Sequence, residues 1–201
     1  IWDSTEHLRV IPAELWNGLH AVTPAGAPGA LAMDMSHDRV VSIAGCWVDG
    51  DRHHVKLLHV DPMGDTAKAA DWLADAAGRR IPVLIDTISP AAELIPVLKN
   101  RKVKIIGSTA QDMGKACVGL YSDAVEGRLS HEGQEQLDTA LAGAKKRDIR
   151  DAGMWAWDRK DPSVNISPLV AVTLARFGVV VVSKKRSGRG RDCSGRVGVV
   201  L

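Results

Sequence analysis

Residues 30–60 read ALAMDMSHDRVVSIAGCWVDGDRHHVKLLHV, and they contain the clearest strand and turn signals of the chain. Three runs in it are typical of β-strands, at residues 30–35, 39–48 and 53–60. The connections between them are short, and Asp49-Gly50 between the second and third runs favours a tight hairpin turn. The stretch therefore predicts an antiparallel three-stranded meander.

Downstream of the meander, strands alternate with helices. Residues 81–86 are a short, almost wholly apolar run, as expected for a strand covered on both faces, and residues 103–107 are predicted as another short strand. Ser89-Pro90 and Ser167-Pro168 each place a capping residue before a proline, which favours a helix start. The order βββ-α-β-α-β-α-α-β-α follows. It predicts an α/β fold with a mixed sheet, in which parallel strands continue the meander and helices cover the sheet.

The composition is that of a soluble globular protein. Of the 201 residues, 45% are hydrophobic and 25% are charged, which excludes a fibrous, disordered or membrane-spanning class. The 26 basic and 24 acidic side chains leave a charge of +2, too small to indicate a nucleic-acid partner by itself. The three cysteines form no CxxC pair and are typical of free thiols in a reducing compartment. We expect a cytoplasmic protein that is not secreted.

We expect one folded domain over residues 30–180. The TPAGAPG stretch at residues 23–29 predicts that residues 1–29 form a linker segment leading into the fold. Residues 181–201 combine basic side chains with several glycines, which predicts a basic, flexible tail. Such a tail could bind phosphates without sequence preference, and an unstructured terminus without a further role is the alternative.

Two carboxylates stand in apolar strand surroundings. Asp34 lies within the run at residues 30–35, and Asp86 ends the run PVLID at residues 82–86. A carboxylate in such a place is costly unless it is paired, hydrogen-bonded or bound to a cation. Each alone could cap a neighbouring turn. If the two strands are neighbours, however, the pair would lie at one sheet edge and could bind a hard cation.

A third segment, WAWDRKDPSVNISPL, runs from a predicted strand through a polar loop into a predicted helix. Asp158, Asp161 or Asn165 could face the two strand-end carboxylates from this loop. Arg159 and Lys160 could bind phosphates. A solvated connection without a further role is the alternative for the same loop.

Taken together, these motifs resemble the ribonuclease H-like nuclease fold. More narrowly, the chain resembles the C-terminal nuclease domain of a tailed-phage terminase large subunit, of the kind found in phages of actinobacteria. The resemblance covers about residues 5–180 and depends on the order and spacing of several stretches. They are VIP with Trp16 in the entry segment (10–16), LAMDMSHDR (31–39), PVLID (82–86), GRLSHEG (127–133), WAWDR (155–159) and NISPLVAVTLA (165–175).

The resemblance implies an endonuclease that cuts double-stranded viral DNA concatemers during packaging, using two Mg²⁺ or Mn²⁺ ions held by three acidic residues. Asp34 and Asp86 match the first two acidic positions, and Asn165 stands at the third. Because Asn165 carries no charge, either Asp161 or Asp158 supplies the third carboxylate or the domain is weak or inactive. In two-metal phosphodiester hydrolysis, Asp34 is the best candidate for the bridging ligand.

The resemblance also implies partners. These are double-stranded DNA, the terminase ATPase domain, the small terminase subunit and the portal, in the host cytoplasm and without a membrane. The candidate DNA contacts are Arg159, Lys160, Lys184, Lys185 and Arg186. The sequence contains no GxxxxGK[ST] phosphate loop, so we expect no ATPase activity from this chain.

Two alternatives stay open at this point. The first is a DNA-binding or assembly module that keeps the fold and has weak or no catalysis, which Asn165 favours. The second is another ribonuclease H-like nuclease, such as a junction resolvase or a transposase core. A small nucleotide-using enzyme is disfavoured because no glycine-rich loop follows a strand.

Overall fold

The computed structural model describes residues 9–61, 64–149, 153–160 and 163–189, with side chains through Lys184. The strands are β1 Ala30–Met35, β2 Val41–Asp49, β3 Arg52–Asp61, β4 Val83–Asp86, β5 Ile105–Ser108, β6 Leu129–His131, β7 Lys146–Asp148 and β8 Trp155–Trp157. The helices are α1 Ala13–Asn17, α2 Thr66–Ala77, α3 Ile95–Asn100, α4 Ala110–Val125, α5 Glu135–Gly143 and α6 Ser167–Arg189. A 3₁₀ turn at Pro90–Leu94 leads into α3.

The main sheet has six strands in the order β5-β4-β1-β2-β3-β6. β1, β2 and β3 pair antiparallel, which confirms the predicted meander. The β2–β3 hairpin closes through Gly50-Asp51, with Gly50 at a φ of 61° that favours glycine. β4 pairs parallel with β1, and β5 parallel with β4, so parallel strands continue the meander as predicted.

Helices cover both faces of the sheet because the strands bury alternate side chains on opposite sides. Ala32, Ala44 and Leu84 belong to the core that also contains the buried faces of α4, α5 and α6. Met33 and Ile85 belong to the opposite core, under α2 and α3. The predicted fold class, a mixed α/β sheet between helical layers, is confirmed.

α6 is the central helix of the structure and packs against β1, β2, β3, β4, α4 and α5. Over Ser167–Lys184 its mean hydropathy of 1.5 is high enough, and its length sufficient, to cross a membrane. Within this fold, however, 61% of that stretch is buried, as expected of a core helix. A Cβ at Gly178 would lie 2.5 Å from Leu84 Cδ1 and 2.8 Å from Ala30 Cβ, so this glycine allows the helix to lie close against the sheet.

Both ends of the described chain differ from the sequence expectation. Ile11 and Trp16 are buried, so the start of the predicted linker segment packs onto the core, whereas residues 20–29 stay largely at the surface as a linker would. α6 continues to Arg189, so residues 181–189 are helical where the sequence predicts a flexible tail. The apolar run around Val179 extends the helix, and lysine and arginine continue it readily. Residues 190–201 lie outside the described residues.

Candidate active site

Asp34 and Asp86 lie side by side at the carboxyl edge of the sheet. β1 and β4 are parallel neighbours in which Met33 pairs with Ile85, so the next residue of each strand is an aspartate at the same level. The two residues are only 1% and 2% exposed. The sequence expectation that the two strands are neighbours is confirmed, and two carboxylates are buried at one point.

Arg159 connects the two carboxylates. Its Nη1 donates to both carboxylate oxygens of Asp34, at 2.9 and 3.1 Å, and its Nη2 lies 3.4 Å from Asp86 Oδ2. The sequence predicts a phosphate contact for this side chain, whereas the structure turns its guanidinium toward the carboxylates. One guanidinium thus faces two buried carboxyl groups, whose oxygens are the donor type that a hard cation prefers.

Burial raises the pKa of Asp34, and the positive charge of Arg159 and a hydrogen bond with the Ser89 side chain oppose that shift. Ser89 Oγ also accepts a hydrogen bond from the backbone N–H of Ala91, at 3.1 Å, where the 3₁₀ turn begins. The sequence predicts only this capping role. The contact with Asp34 is missed because it depends on how β1 and β4 pair, although the position of Ser89, three residues after Asp86, is a usable signal.

A cleft opens beside the carboxylates between the β1–β2 turn and the loop that enters α6. The polar residues lining it are Asp34, Ser36, His37, Asp38, Arg159, Lys160, Asn165 and Ser167. Asn165 Oδ1 accepts the backbone N–H of Ser167 at 3.0 Å, and the Ser167 hydroxyl lies 2.8 Å from that of Ser42. The sequence predicts that Ser167 caps the start of α6. In the structure Ser167 is already the first helical residue, and Asn165 forms the turn into the helix.

The third acidic ligand is not found among the described residues. Asp158 Oδ1 accepts the backbone N–H of Lys160 at 3.0 Å, and Asp158 is absent from the described lining of the cleft. Asp161 lies outside the described residues. In the part of the chain that the structure describes, no group of three or more His, Cys, Asp or Glu side chains could hold a metal.

The oxygen donors present nevertheless fit a hard cation. Asp34 and Asp86 offer four buried carboxylate oxygens, the ligand type that Mg²⁺ and Mn²⁺ prefer. Asp38 and Asn165 offer further oxygens in the same cleft. Both oxygens of Asp34 accept from Arg159, so a cation at this carboxylate would compete with the guanidinium.

The predicted DNA contacts fall in two places. Lys160 is exposed and lies in the cleft with Arg159. Lys184 stands 17 residues beyond the start of α6, which places it about 25 Å along the helix from Ser167. The side chains of Lys185 and Arg186 lie outside the described residues. The fold brings Arg159 and Lys160 to the carboxylates and does not bring Lys184 there.

No protein-family model matches the chain, and no curated protein matches it. Several solved structures do match. The HK97 bacteriophage large terminase superposes with a TM-score of 0.65 at 17% identity, over 85% of this chain and 43% of that chain. The nuclease domain of the large terminase subunit of bacterial virus Sf6 has a TM-score of 0.56 at 16% identity, over 85% and 98%. The large terminase nuclease of thermophilic phage G20c with bound magnesium has a TM-score of 0.54 at 10% identity, over 81% and 95%.

At these identities the likeness establishes the fold. The chain has the fold of the nuclease domains of phage large terminases, which confirms the resemblance found in the sequence. It spans nearly all of the two isolated nuclease domains and 43% of the longer HK97 chain.

Proposed function

We propose that this chain is a divalent-metal-dependent endonuclease domain of a phage large terminase, which cuts double-stranded DNA concatemers during genome packaging. One observation carries the proposal: Asp34 and Asp86 are buried side by side at the carboxyl edge of a terminase nuclease fold. Solved structures of that fold support a role for metal, since the G20c nuclease was solved with magnesium and a mutant Sf6 nuclease domain with manganese.

In this proposal two Mg²⁺ or Mn²⁺ ions are held by Asp34, Asp86 and a third oxygen ligand, for which Asp161, Asp158 and Asn165 are the candidates. Metal bound there supplies an activated water as nucleophile and relieves the negative charge that builds up on the phosphate. We propose Asp34 as the ligand that the two ions would share, and its position on β1 between β4 and β2, in the interior of the sheet, supports this role.

Two basic residues, Arg159 and Lys160, would bind the carboxylates and the phosphates of DNA. Arg159 keeps Asp34 and Asp86 together by hydrogen bonds to both. When the carboxylates bind metal instead, its planar guanidinium is free to donate to phosphate oxygens of DNA in the cleft. Lys160, exposed at the same cleft, binds the neighbouring phosphate as a point charge.

A second candidate is a DNA-binding or assembly module with weak or no catalysis. Two features favour it: Asn165 contributes no charge at the position of the third acid, and Arg159 already neutralises part of the carboxylate pair. This candidate predicts that the protein binds DNA stoichiometrically without cutting it.

The partners of the domain are proposed from the same structural similarity to phage large terminases. The HK97 large terminase is more than twice as long as the part that matches, so the partners of such a protein come to this chain only as proposals. We propose that the domain works beside a terminase ATPase domain, the small terminase subunit and the portal, in the host cytoplasm.

The test is nicking of supercoiled plasmid in Mn²⁺, Mg²⁺ or EDTA by the wild type, by Asp34→Ala and by Asp75→Ala. Asp75 is exposed on α2 and controls for removal of a carboxylate elsewhere. We expect metal-dependent nicking by the wild type and Asp75→Ala and none by Asp34→Ala. Equal nicking by Asp34→Ala would refute the site. A DNA shift without cutting in any metal would favour the inactive module.

A further inference from the structure

Ser108, the last residue of β5, carries a buried hydroxyl for which the described structure provides no hydrogen-bond partner. The residue is 1% exposed, and its buried Oγ makes no hydrogen bond in the described structure. A buried polar group in this state is unfavourable and calls for a reason, such as a role in catalysis. The position of Ser108 in the sheet suggests that reason.

Four polar residues form a row across the carboxyl edge of the sheet. Ser42 pairs with Asp34 across β2 and β1, and Ser108 pairs with Asp86 across β5 and β4. All four face the core under α4 and α6, because Ala44, Ala32, Leu84 and Ile106, each two residues away along its own strand, pack there. We call this set, Ser42, Asp34, Asp86 and Ser108, the polar row.

The two ends of the polar row differ. At one end, the Ser42 hydroxyl is paired with that of Ser167 at 2.8 Å. At the other end, Ser108 Oγ is next to Asp86, whose own contacts are long: Arg159 Nη2 at 3.4 Å and the backbone N–H of Ile88 at 3.2 Å. Since a carboxylate has about four acceptor sites, Asp86 has capacity for another donor.

We propose that Ser108 is a positioning residue for Asp86 when the site binds metal, an inference that rests on the proposed function. Neighbouring strands lie about 4.8 Å apart, so rotation about one bond brings the Ser108 hydroxyl within hydrogen-bond distance of the carboxylate. Once Arg159 has left, this hydroxyl donates to Asp86 and orients its oxygens toward the cation. Such supporting hydrogen bonds typically change metal affinity by about 10–100-fold.

The experiment compares Ser108→Ala, Ser108→Thr and Ser42→Ala by thermal unfolding, first in EDTA and then across a Mn²⁺ titration, with plasmid nicking measured alongside. In EDTA, Ser108→Ala should have a Tm equal to or above that of the wild type, because it removes an unpaired hydroxyl. Ser42→Ala should have a lower Tm, because it breaks a hydroxyl pair. Ser108→Ala should then need about tenfold more Mn²⁺ for half of its thermal shift. Ser108→Thr, which keeps the hydroxyl, should return toward the wild type.

Either of two results would overturn the Ser108 inference and leave the proposed function intact. One is that the wild type and Ser108→Ala reach half of their thermal shift at the same Mn²⁺ concentration. The other is a Tm of Ser108→Ala in EDTA as low as that of Ser42→Ala, which would mean that the hydroxyl is already paired in the resting protein. A wild type without any Mn²⁺ response or nicking would instead refute the proposed function, and the Ser108 inference with it. Asp34→Ala controls for metal bound elsewhere.

Discussion

At the level of single residues, Arg159 acts as the counter-ion of Asp34 and Asp86. The three side chains are held by hydrogen bonds of 2.9–3.4 Å, with Arg159 27% exposed and both aspartates buried. A buried carboxylate that loses its partner is left with an uncompensated charge. The stability of the metal-free protein should therefore depend on this one guanidinium.

Arg159→Ala should lower the free energy of unfolding in EDTA by about 3–5 kcal/mol, the range for removing one partner of a buried ion pair. Saturating Mn²⁺ should restore most of that loss, because the cation then compensates the same carboxylates. Urea unfolding with and without Mn²⁺ measures both effects, and Lys160→Ala, an exposed neighbour, is the control. If Arg159→Ala loses the same stability in both conditions, the guanidinium and the metal do not compete.

Asn165→Asp should strengthen metal binding, because it adds a carboxylate to a cleft that already contains Asp34. We expect half-maximal nicking at roughly tenfold less Mn²⁺, since the number of ligand charges tunes the affinity of oxygen sites. Nicking rates across a Mn²⁺ titration measure this, with the exposed Asn100→Asp as control. An unchanged or weaker Mn²⁺ dependence would indicate that Asn165 lies outside the metal site.

The sequence predicts the two buried carboxylates but not what surrounds them. Asp34 and Asp86 stand out because each interrupts or ends an apolar strand, which is a local pattern. The contact of Arg159 with Asp34 joins residues 125 positions apart, and a loop sequence does not encode which strand end its side chains reach. Ser89 and Ser108 are missed for the same reason.

At the level of elements, Asp123 ties α4 to its neighbours. It is 1% exposed, and it accepts Arg176 Nε of α6 at 2.7 Å and Arg128 Nη2 at 3.2 Å, with His53 Nδ1 of β3 at 2.6 Å. Burial raises the pKa of Asp123, but the hydrogen bonds with His53 and Arg176 outweigh it and lower the pKa from 3.8 to about 2. The ionised carboxylate thus stabilises the packing of α4, α6 and β3.

Asp123→Asn should lower the free energy of unfolding at pH 7 by about 3 kcal/mol, as for other broken buried ion pairs. Because the pKa of Asp123 is depressed, its stabilising effect is fully present above pH 3.8 and is lost as the pH falls toward 2. The difference between variant and wild type should therefore shrink below pH 3.8. Urea unfolding at pH 7, 4 and 2.5 checks this, with the exposed Asp75→Asn as control. A difference that stays constant with pH would contradict the assigned pKa.

Element prediction succeeds where the local signal is strong. The meander follows from three strand-like runs joined by short connections, and the position of α6 follows from Ser167-Pro168. β6 and β7 are missed because three residues are too few to display an alternation. β8 is predicted as a strand, yet it pairs with β7 in a separate ribbon, since a single strand does not specify its partner.

In the whole molecule, α6 connects the sheet with the helices on one of its faces, because it contacts four strands and two helices. It also begins at the cleft. Its approach to the sheet is set by Gly178, where any side chain would meet Leu84 and Ala30. Both neighbours are fully buried and cannot move toward solvent. A larger residue at this position must therefore displace the helix or the sheet.

Gly178→Ala should destabilise the whole domain despite the better helix propensity of alanine. The gain of about 1 kcal/mol in propensity is opposed by overpacking, which costs typically about 1–3 kcal/mol. We expect a net loss of about 1 kcal/mol and a Tm lower by about 2–4 °C. Gly18→Ala, where a Cβ would make only ordinary contacts, is the control. An increase in Tm would indicate that α6 does not limit the packing of the sheet.

The guanidinium between Asp34 and Asp86 has a consequence for the order of events after synthesis. Because the chain brings its own positive charge to the sheet edge, we expect the polypeptide to complete its fold in a medium free of divalent ions. Under the proposed function, assembly and loading with a cation would then be separate steps, and the second should be reversible without the first being undone. Dialysis against a chelator should accordingly return the protein to an intact resting form, ready to be reloaded.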